Sequence, residues 1–310
     1  MTWKAIARSS IGTSHQKQQM PCQDYGSYKI LNPAIAGAVA DGSGSAKYAD
    51  IGAKLAVETV LESFTEQDIF NLTESYCSES SVSETKNQSN WFWKTLNQSN
   101  WFWKTLSSLR TTDNNGTSSV AIHQPQSPSE QEVSQLFTNI VNQVVTALEA
   151  QAANGDYSID DLACTLLIFV ATPNKVAGMQ IGDGFITVRY QQQEPQLLFP
   201  PDKGEYINET TFVTSTNALE AMRVVVQTGH PEFICASTDG LERLAIRMSD
   251  WIPFAPFFQP LEEYLRETSV PEQEDKYLMS FLNSDRLNAR TDDDKTLLLC
   301  LYDSSSQSGE

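Results

Sequence analysis

Ile35-Ala36-Gly37-Ala38-Val39-Ala40-Asp41-Gly42-Ser43-Gly44 is a run of small apolar residues that ends on a carboxylate and a glycine-containing turn. A short apolar run closed by turn residues reads as a buried strand. From Ser45 the period changes. Ala49, Gly52, Ala53, Ala56, Val57, Val60, Leu61 and Phe64 follow i, i+3, i+4 spacing, the buried face of one helix. An acid is thus fixed at a strand end.

Outward from this run, Trp3–Ser9 and Tyr25–Ile30 read as strands upstream. Downstream, Val133, Leu136, Phe137, Ile140, Val141, Val144 and Leu148 mark a second amphipathic helix that ends near Asn154-Gly155. Cys164–Ala171, Val176–Ile181 and Phe185–Tyr190 alternate with turn signals as consecutive antiparallel strands do. The segment 191–232 reads as strand plus irregular loop, and Phe233–Ser237 as a buried strand. Asp250–Phe258 reads as a Trp/Pro/Phe loop, Leu261–Arg266 and Tyr277–Leu287 as helices, and Thr296–Tyr302 as the last strand. Helices grouped apart from consecutive strands predict an α+β domain, packed antiparallel sheets covered by helices.

Residues 71–130 form a Ser/Thr/Asn/Gln-rich insert, in which Asn87–Leu96 is repeated without change as Asn97–Leu106. Two ten-residue copies are too few for a solenoid. They read as a duplication in a tolerant loop, or as a docking surface for a partner built on Trp91, Phe92, Trp93 and their copies. The domain is expected over 1–302, followed by a disordered tail, 303–310.

The formal net charge is −18, from 39 acidic against 21 basic residues. That balance argues against nucleic acid and anionic membrane as main partners, since a phosphate backbone requires a basic surface. No signal-peptide run and no long apolar stretch occur, so a cytoplasmic protein with no membrane contact is expected. Five cysteines without a CxxC pair read as reduced and structural.

Three further acidic motifs share the setting of Asp41. Asp183 lies in Ile181-Gly182-Asp183-Gly184, Asp239 in Ser237-Thr238-Asp239-Gly240, and a run Asp292-Asp293-Asp294 precedes Lys295-Thr296-Leu297. A single Asp-Gly after a strand is usually a turn. Several at strand ends suit hard cations such as Mg²⁺ or Mn²⁺, which take oxygen ligands and are held by few carboxylates. The sequence offers no competing nucleophile motif such as GxSxG.

The order of these motifs resembles the metal-dependent (type 2C) protein phosphatases, in a bacterial branch of the family. The segments that carry it are Gly12, His15, Cys22-Gln23-Asp24, Val39-Ala40-Asp41-Gly42-Ser43-Gly44, Ala163-Cys164-Thr165-Leu166-Leu167-Ile168, Ile181–Gly184, Ser237–Gly240 and Asp293-Asp294-Lys295-Thr296. The resemblance implies a four-layer α-β-β-α sandwich, two antiparallel sheets flanked by helix pairs, with the metal centre at one end. It implies that Asp41 bridges two Mn²⁺ or Mg²⁺ ions with help from the Gly42 carbonyl, and that Asp239 and Asp293 complete the pair. Asp183 then corresponds to a weaker third cation, and Asp24 holds metal-bound water. The implied reaction is attack of a metal-bridging water on phosphoserine or phosphothreonine in a phosphoprotein, without a phospho-enzyme and by a monomeric chain.

One departure stands out. The family commonly carries an Arg that clamps the substrate phosphate where this chain has His15, with Arg8, Lys17 and Arg290 as other sources of charge. That departure and the aromatic insert support the alternatives, a catalytically weak binding module in a signalling complex or a hydrolase of small phosphate esters.

Overall fold

The computed structural model describes residues 2–65, 67–68, 130–200 and 210–303. The repeat Asn87–Leu106, nearly all of the polar insert, the stretch Lys203-Gly204-Glu205 and the tail beyond Asp303 lie outside the described residues.

The opening run forms β3 (Ala34–Asp41). Its side chains alternate between two cores. Ala34, Ala36, Ala38 and Ala40 join one cluster, and Ile35 and Val39 join another. β4 (Leu166–Thr172) repeats the device, with Leu166, Ile168 and Val170 on one side and Leu167, Phe169 and Ala171 on the other. Both faces of this sheet are therefore covered. Its strand order is β2-β3-β4-β5-β8, all antiparallel, with β2 spanning Asp24–Leu31, β5 Lys175–Ile181 and β8 Arg223–Thr228.

The second sheet has the order β1-β12-β9-β6-β7, where β1 is Thr2–Ser10, β6 Phe185–Tyr190, β7 Gln196–Leu197, β9 Pro231–Ser237 and β12 Lys295–Asp303. Leu298 and Cys300 of β12 face the first sheet, whereas Leu297, Leu299 and Leu301 face outward into a third cluster. The sheets approach closely at Gly37. A Cβ there would lie 2.5 Å from the Phe169 ring and 2.6 Å from Leu298 Cδ2, so a side chain would force the sheets apart.

Helices complete the outer layers. α2 (Ala49–Ser63) and α3 (Glu130–Gly155) lay Ala53, Ala56, Val57 and Val60, and Phe137, Ile140, Val144 and Leu148, on the first sheet. α6 (Ala255–Glu267), α7 (Lys276–Leu282) and α8 (Asp285–Asn288) lay Phe258, Leu261, Leu265, Leu278, Leu282 and Leu287 on the second. This is the four-layer sandwich expected.

Three local readings change, and one unread stretch proves helical. α6 begins inside the stretch read as a loop, because Pro256 sits in its first turn, where the missing N–H removes no helical bond. The helix read over Tyr277–Leu287 is broken, since Ser284 accepts the Leu287 N–H and starts α8 afresh. The segment 191–232 contains β7, the short α4 (Ala218–Ala221) and β8. Residues around His15 form a six-residue helix, α1 (Thr13–Gln18). Two pieces near the site complete the chain: a 3-10 turn Asp239–Leu241 running into α5 (Glu242–Ala245), and a small hairpin of β10 (Ile246–Arg247) and β11 (Ile252–Pro253). No helix of the described residues is long and apolar enough to cross a membrane.

Candidate active site

The acids of the sequence motifs converge at one end of the sandwich. Register explains part of this. Asp24 opens β2 directly opposite Asp41, which closes β3, and Ser237 at the end of β9 pairs with both Phe185 and Leu297. The chain segments carrying Asp183, Asp239 and Asp293 are thus brought beside one another by strand pairing. A cavity of ≈ 220 Å³ lies between them, lined by His15, Gln23, Asp41, Gly42, Ser43, Gly44, Thr165, Asp183, Thr210, Phe212, Asp239 and Asp293.

Threonines hold three of these acids in place, Asp41 through its backbone and Asp183 and Asp24 through their carboxylates. The Asp41 N–H donates to Thr165 Oγ1 at 3.0 Å, and its carbonyl accepts the Thr165 N–H at 2.8 Å. Asp183 sits between Gly182 and Gly184, both at positive φ, where a side-chain-bearing residue is strained, and its Oδ2 accepts from Thr210 Oγ1 at 2.9 Å. Thr238 Oγ1 donates to Asp24 Oδ2 at 2.6 Å and accepts the Thr296 N–H at 3.1 Å, tying β2, β9 and β12 together.

Asp41, Asp183 and Asp239 form the tight group, with one carboxylate oxygen from each lying within 4.8 Å of the others. Asp293 lines the same cavity outside that group, and Asp24 lies behind Asp41, buried. No Lys or Arg among the described residues forms an ion pair with any of these five acids. Asp239 Oδ1 and Gln23 Oε1 are buried without a hydrogen-bond donor. An oxygen-only donor set, without a Lys or Arg ion pair and with orphaned acceptors, fits a hard divalent ion, although the buried Lys295 lies within electrostatic reach of Asp24 and Asp293.

The electrostatics agree. Burial, and then the charges of Asp24 and Asp239, push the Asp41 carboxyl up to about 12. Burial raises Asp24 to about 8 and Asp239 to about 6, with neighbouring acids adding to both. Asp293 is raised as well, first by burial. Glu242 is raised to about 7, by burial and then by Asp239 and Asp183. Without a cation these acids hold protons when folded that the unfolded chain, with Asp near 4, has released. More protons in the folded state means stability falls as pH rises. The melting temperature of the chelator-treated protein is therefore expected to drop between about pH 5 and pH 8, and saturating Mn²⁺ or Mg²⁺ to abolish most of that drop. A flat or rising profile without metal, unaffected by adding it, would contradict the assignment.

Asp294 has a different task from Asp293. It is 2% exposed, and its oxygens accept the Gly12 N–H at 2.6 Å, the Gln23 N–H at 2.5 Å and His15 Nδ1 at 3.0 Å. His15 is thereby held at the cavity wall. The alternative cations are elsewhere: Arg8 pairs with Glu272 and Asp275, and Lys17 and Arg290 are exposed and line no part of the cavity. Sequence reasoning missed Thr165, Thr238 and Glu242. Thr165 and Thr238 lie inside the quoted motifs without a role assigned to them, and Glu242 lies three residues after Asp239, on the same side of a helical turn.

An αββα sandwich with an acidic cavity at one end is the arrangement expected of a metal-dependent phosphatase. A family model for protein phosphatase 2C matches residues 11–283, and the chain belongs to that family, whose members are metal-dependent protein serine/threonine phosphatases. Serine/threonine-protein phosphatase 3 of Escherichia coli (strain K12) is 32% identical over 310 residues, covering 97% of this chain and 99% of the relative. In fold the chain is similar to the serine/threonine phosphatase Stp1 of Staphylococcus aureus, with a TM-score of 0.53 at 10% identity over 98% of this chain and 96% of that one. It is similar also to the S. agalactiae serine/threonine phosphatase, with a TM-score of 0.53 at 11% identity over 97% and 100%.

Proposed function

We propose that this chain, as one phosphatase domain over 1–302, removes phosphate from phosphoserine and phosphothreonine of a phosphoprotein at the acidic cavity, with two Mn²⁺ or Mg²⁺ ions as cofactors. The observation that carries the assignment is the group of Asp41, Asp183 and Asp239, without a Lys or Arg ion pair, in which Asp239 Oδ1 is buried with no hydrogen-bond donor. Asp41, the Gly42 carbonyl, Asp239 and Asp293 would hold the pair, and Asp183 a weaker third ion. Such ions, when bound, make a water molecule nucleophilic at neutral pH and neutralise charge on phosphoryl oxygens.

The residues do the rest. Asp24, fixed by Thr238 and buried behind Asp41, would accept a hydrogen bond from a water held at the metal pair. Thr165 and the flanking strands hold Asp41 so that little reorganisation is needed when substrate enters. His15 lines the same cavity with its Nδ1 held by Asp294, which leaves Nε2 as the ring nitrogen that would meet the substrate phosphate.

The test is phosphate release from a phosphothreonine peptide. Turnover is expected with Mn²⁺ or Mg²⁺, to disappear on chelation and return on re-addition, and to fall about 10²-fold in Asp239→Asn. Turnover that survives chelation, or a fully active Asp239→Asn, would overturn the proposal.

A further inference from the structure

The helical layer on the second sheet carries a groove of ≈ 460 Å³ that shares no residue with the acidic cavity. Its long wall is α6. Phe257, Phe258, Leu261 and Leu265 are the buried face of that helix. Pro260, Glu263, Tyr264 and Glu267, spaced i, i+3, i+4 and i+7, are the face that lines the groove. Glu274 and Tyr277 line it from the segment that leads into α7 and from α7 itself. Tyr264 and Tyr277 stack, with ring centroids 5.0 Å apart and 26° between their planes. The Tyr264 hydroxyl donates to the Glu274 carbonyl at 2.9 Å, which fixes its ring, while Tyr277 stays 48% exposed.

No Lys or Arg lines this groove, and Glu263, Glu267 and Glu274 form no ion pair among the described residues. The cations of neighbouring elements are held by other partners. Lys4 donates to the carbonyls of Arg266 and Thr268, Arg8 pairs with Glu272 and Asp275, and Arg266 pairs with Glu262. Lys276, beside Tyr277, is exposed and lines no part of the groove. An exposed carboxylate by itself is only solvated. Here the acids flank a stacked aromatic pair, and the face of an aromatic ring also attracts a cation. A guanidinium satisfies both, because its plane stacks on a ring while its N–H fork donates to carboxylates. An ammonium is a compact, strongly hydrated point charge and gains less from a flat wall. The net charge of −18 draws a basic partner and repels a second copy of the chain.

From this complementarity we infer that the groove between α6 and α7 is a docking site for an arginine-bearing, extended segment of the protein substrate, away from the phosphorylated residue. An arginine side chain lies against Tyr277 with its guanidinium between Glu263 and Glu267. The site stands on the groove's own geometry, and only the identity of its occupant as substrate rests on the phosphatase reading above. Docking at a second place raises the local concentration of the phosphorylated residue at the acidic cavity without altering the chemical step, so its signature is in KM and not in kcat.

Fluorescence anisotropy with the full chain and a labelled peptide, Gly-Ala-Arg-Ala-Arg-Ala-Gly, tests the site. At low ionic strength wild type is expected to bind this peptide about 3-fold more tightly than its lysine counterpart, and to bind the glutamine counterpart at background level. Glu263→Gln with Glu267→Gln should weaken binding about 10-fold, and Tyr277→Ala about 5-fold. A control, Glu62→Gln with Glu149→Gln, removes the same charge from exposed positions on α2 and α3 and should change Kd less than about 2-fold. No binding by wild type, or an equal loss in the control, would overturn the site. With saturating Mn²⁺, joining the arginine segment to a phosphothreonine peptide by a flexible Gly/Ser linker should lower KM about 10-fold in wild type and leave kcat unchanged. That advantage should vanish in Glu263→Gln with Glu267→Gln, whose turnover of p-nitrophenyl phosphate stays at the wild-type value. Binding of the arginine peptide without the KM advantage would remove the substrate as occupant and overturn the inference. Failure of wild type to hydrolyse either phosphate ester, with the arginine peptide still bound, would instead sink the phosphatase reading.

Discussion

Asp41→Asn is expected to reduce phosphatase turnover by about three to four orders of magnitude and, without metal, to raise the melting temperature. The two effects have one cause. Asp41 is the member of the tight acidic group whose carboxyl is pushed furthest, to about 12, chiefly by burial and then by Asp24 and Asp239. In the cation-free protein at pH 7 it is protonated, which costs free energy because its unfolded value lies near 4. An amide of the same shape carries no such cost, and its NH₂ can still donate to Asp24 and Asp239, whose carboxyls the Asp41 hydrogen bonds hold lower. We expect a gain on the order of 2 kcal/mol, or roughly 5 °C for a domain of this size. With saturating Mn²⁺ the order reverses, since wild type gains the binding energy of the ions and the variant loses a central ligand. Thermal melts of both proteins, in chelator and in Mn²⁺, read out the crossing. A variant less stable than wild type in chelator would show Asp41 to be a structural acid, and a variant with substantial activity would remove it from the centre. The lost activity corresponds to about 4–5 kcal/mol of transition-state stabilisation.

Why Asp41, Asp183 and Asp239 were legible in the sequence follows from their setting. Each terminates an apolar run and is followed by glycine, and a strand end is a point where backbone direction fixes side-chain direction. The two-faced burial of β3 and β4 was legible for the same reason, as unbroken apolar runs require cover on both sides. What escaped depends on partners distant in sequence. Thr238 acts by bonding Asp24, 214 positions away, and no local pattern marks a threonine for that. α6 was obscured because Pro256 and Pro260 are loop signals unless the helix start is known. Its buried Phe257, Phe258, Leu261 and Leu265 show that packing on the second sheet outweighs the prolines.

The run Asp292-Asp293-Asp294 is the sharpest case of one residue type with three environments, and it gives the second large effect. Asp292 is exposed, Asp293 lines the cavity, and Asp294 is buried. Replacing Asp294 with Ala leaves the Gly12 and Gln23 N–H groups without their acceptor and releases His15. Each buried donor left unpaired costs about 1–3 kcal/mol. An opposing gain exists, because Asp294 also repels Asp24, but that repulsion ranks behind burial and the Thr238 hydrogen bond among the influences on Asp24. Removing Asp294 also takes away a charge that favours the buried Lys295 ammonium. The loss therefore dominates, and Asp294→Ala is expected to destabilise the protein by about 3 kcal/mol, lowering the melting temperature by roughly 8 °C. Asp292→Ala should stay within about 0.5 kcal/mol of wild type, because only its backbone carbonyl is used, by the Ser14 N–H. Asp294→Asn separates charge from hydrogen bonding: its oxygen can still receive Gly12, but its NH₂ then meets the Gln23 N–H, so most of the loss should persist. Denaturant unfolding of the three variants decides the matter, and an Asp294→Ala no less stable than Asp292→Ala would mean that the N-terminal segment is held in place by something other than this carboxylate.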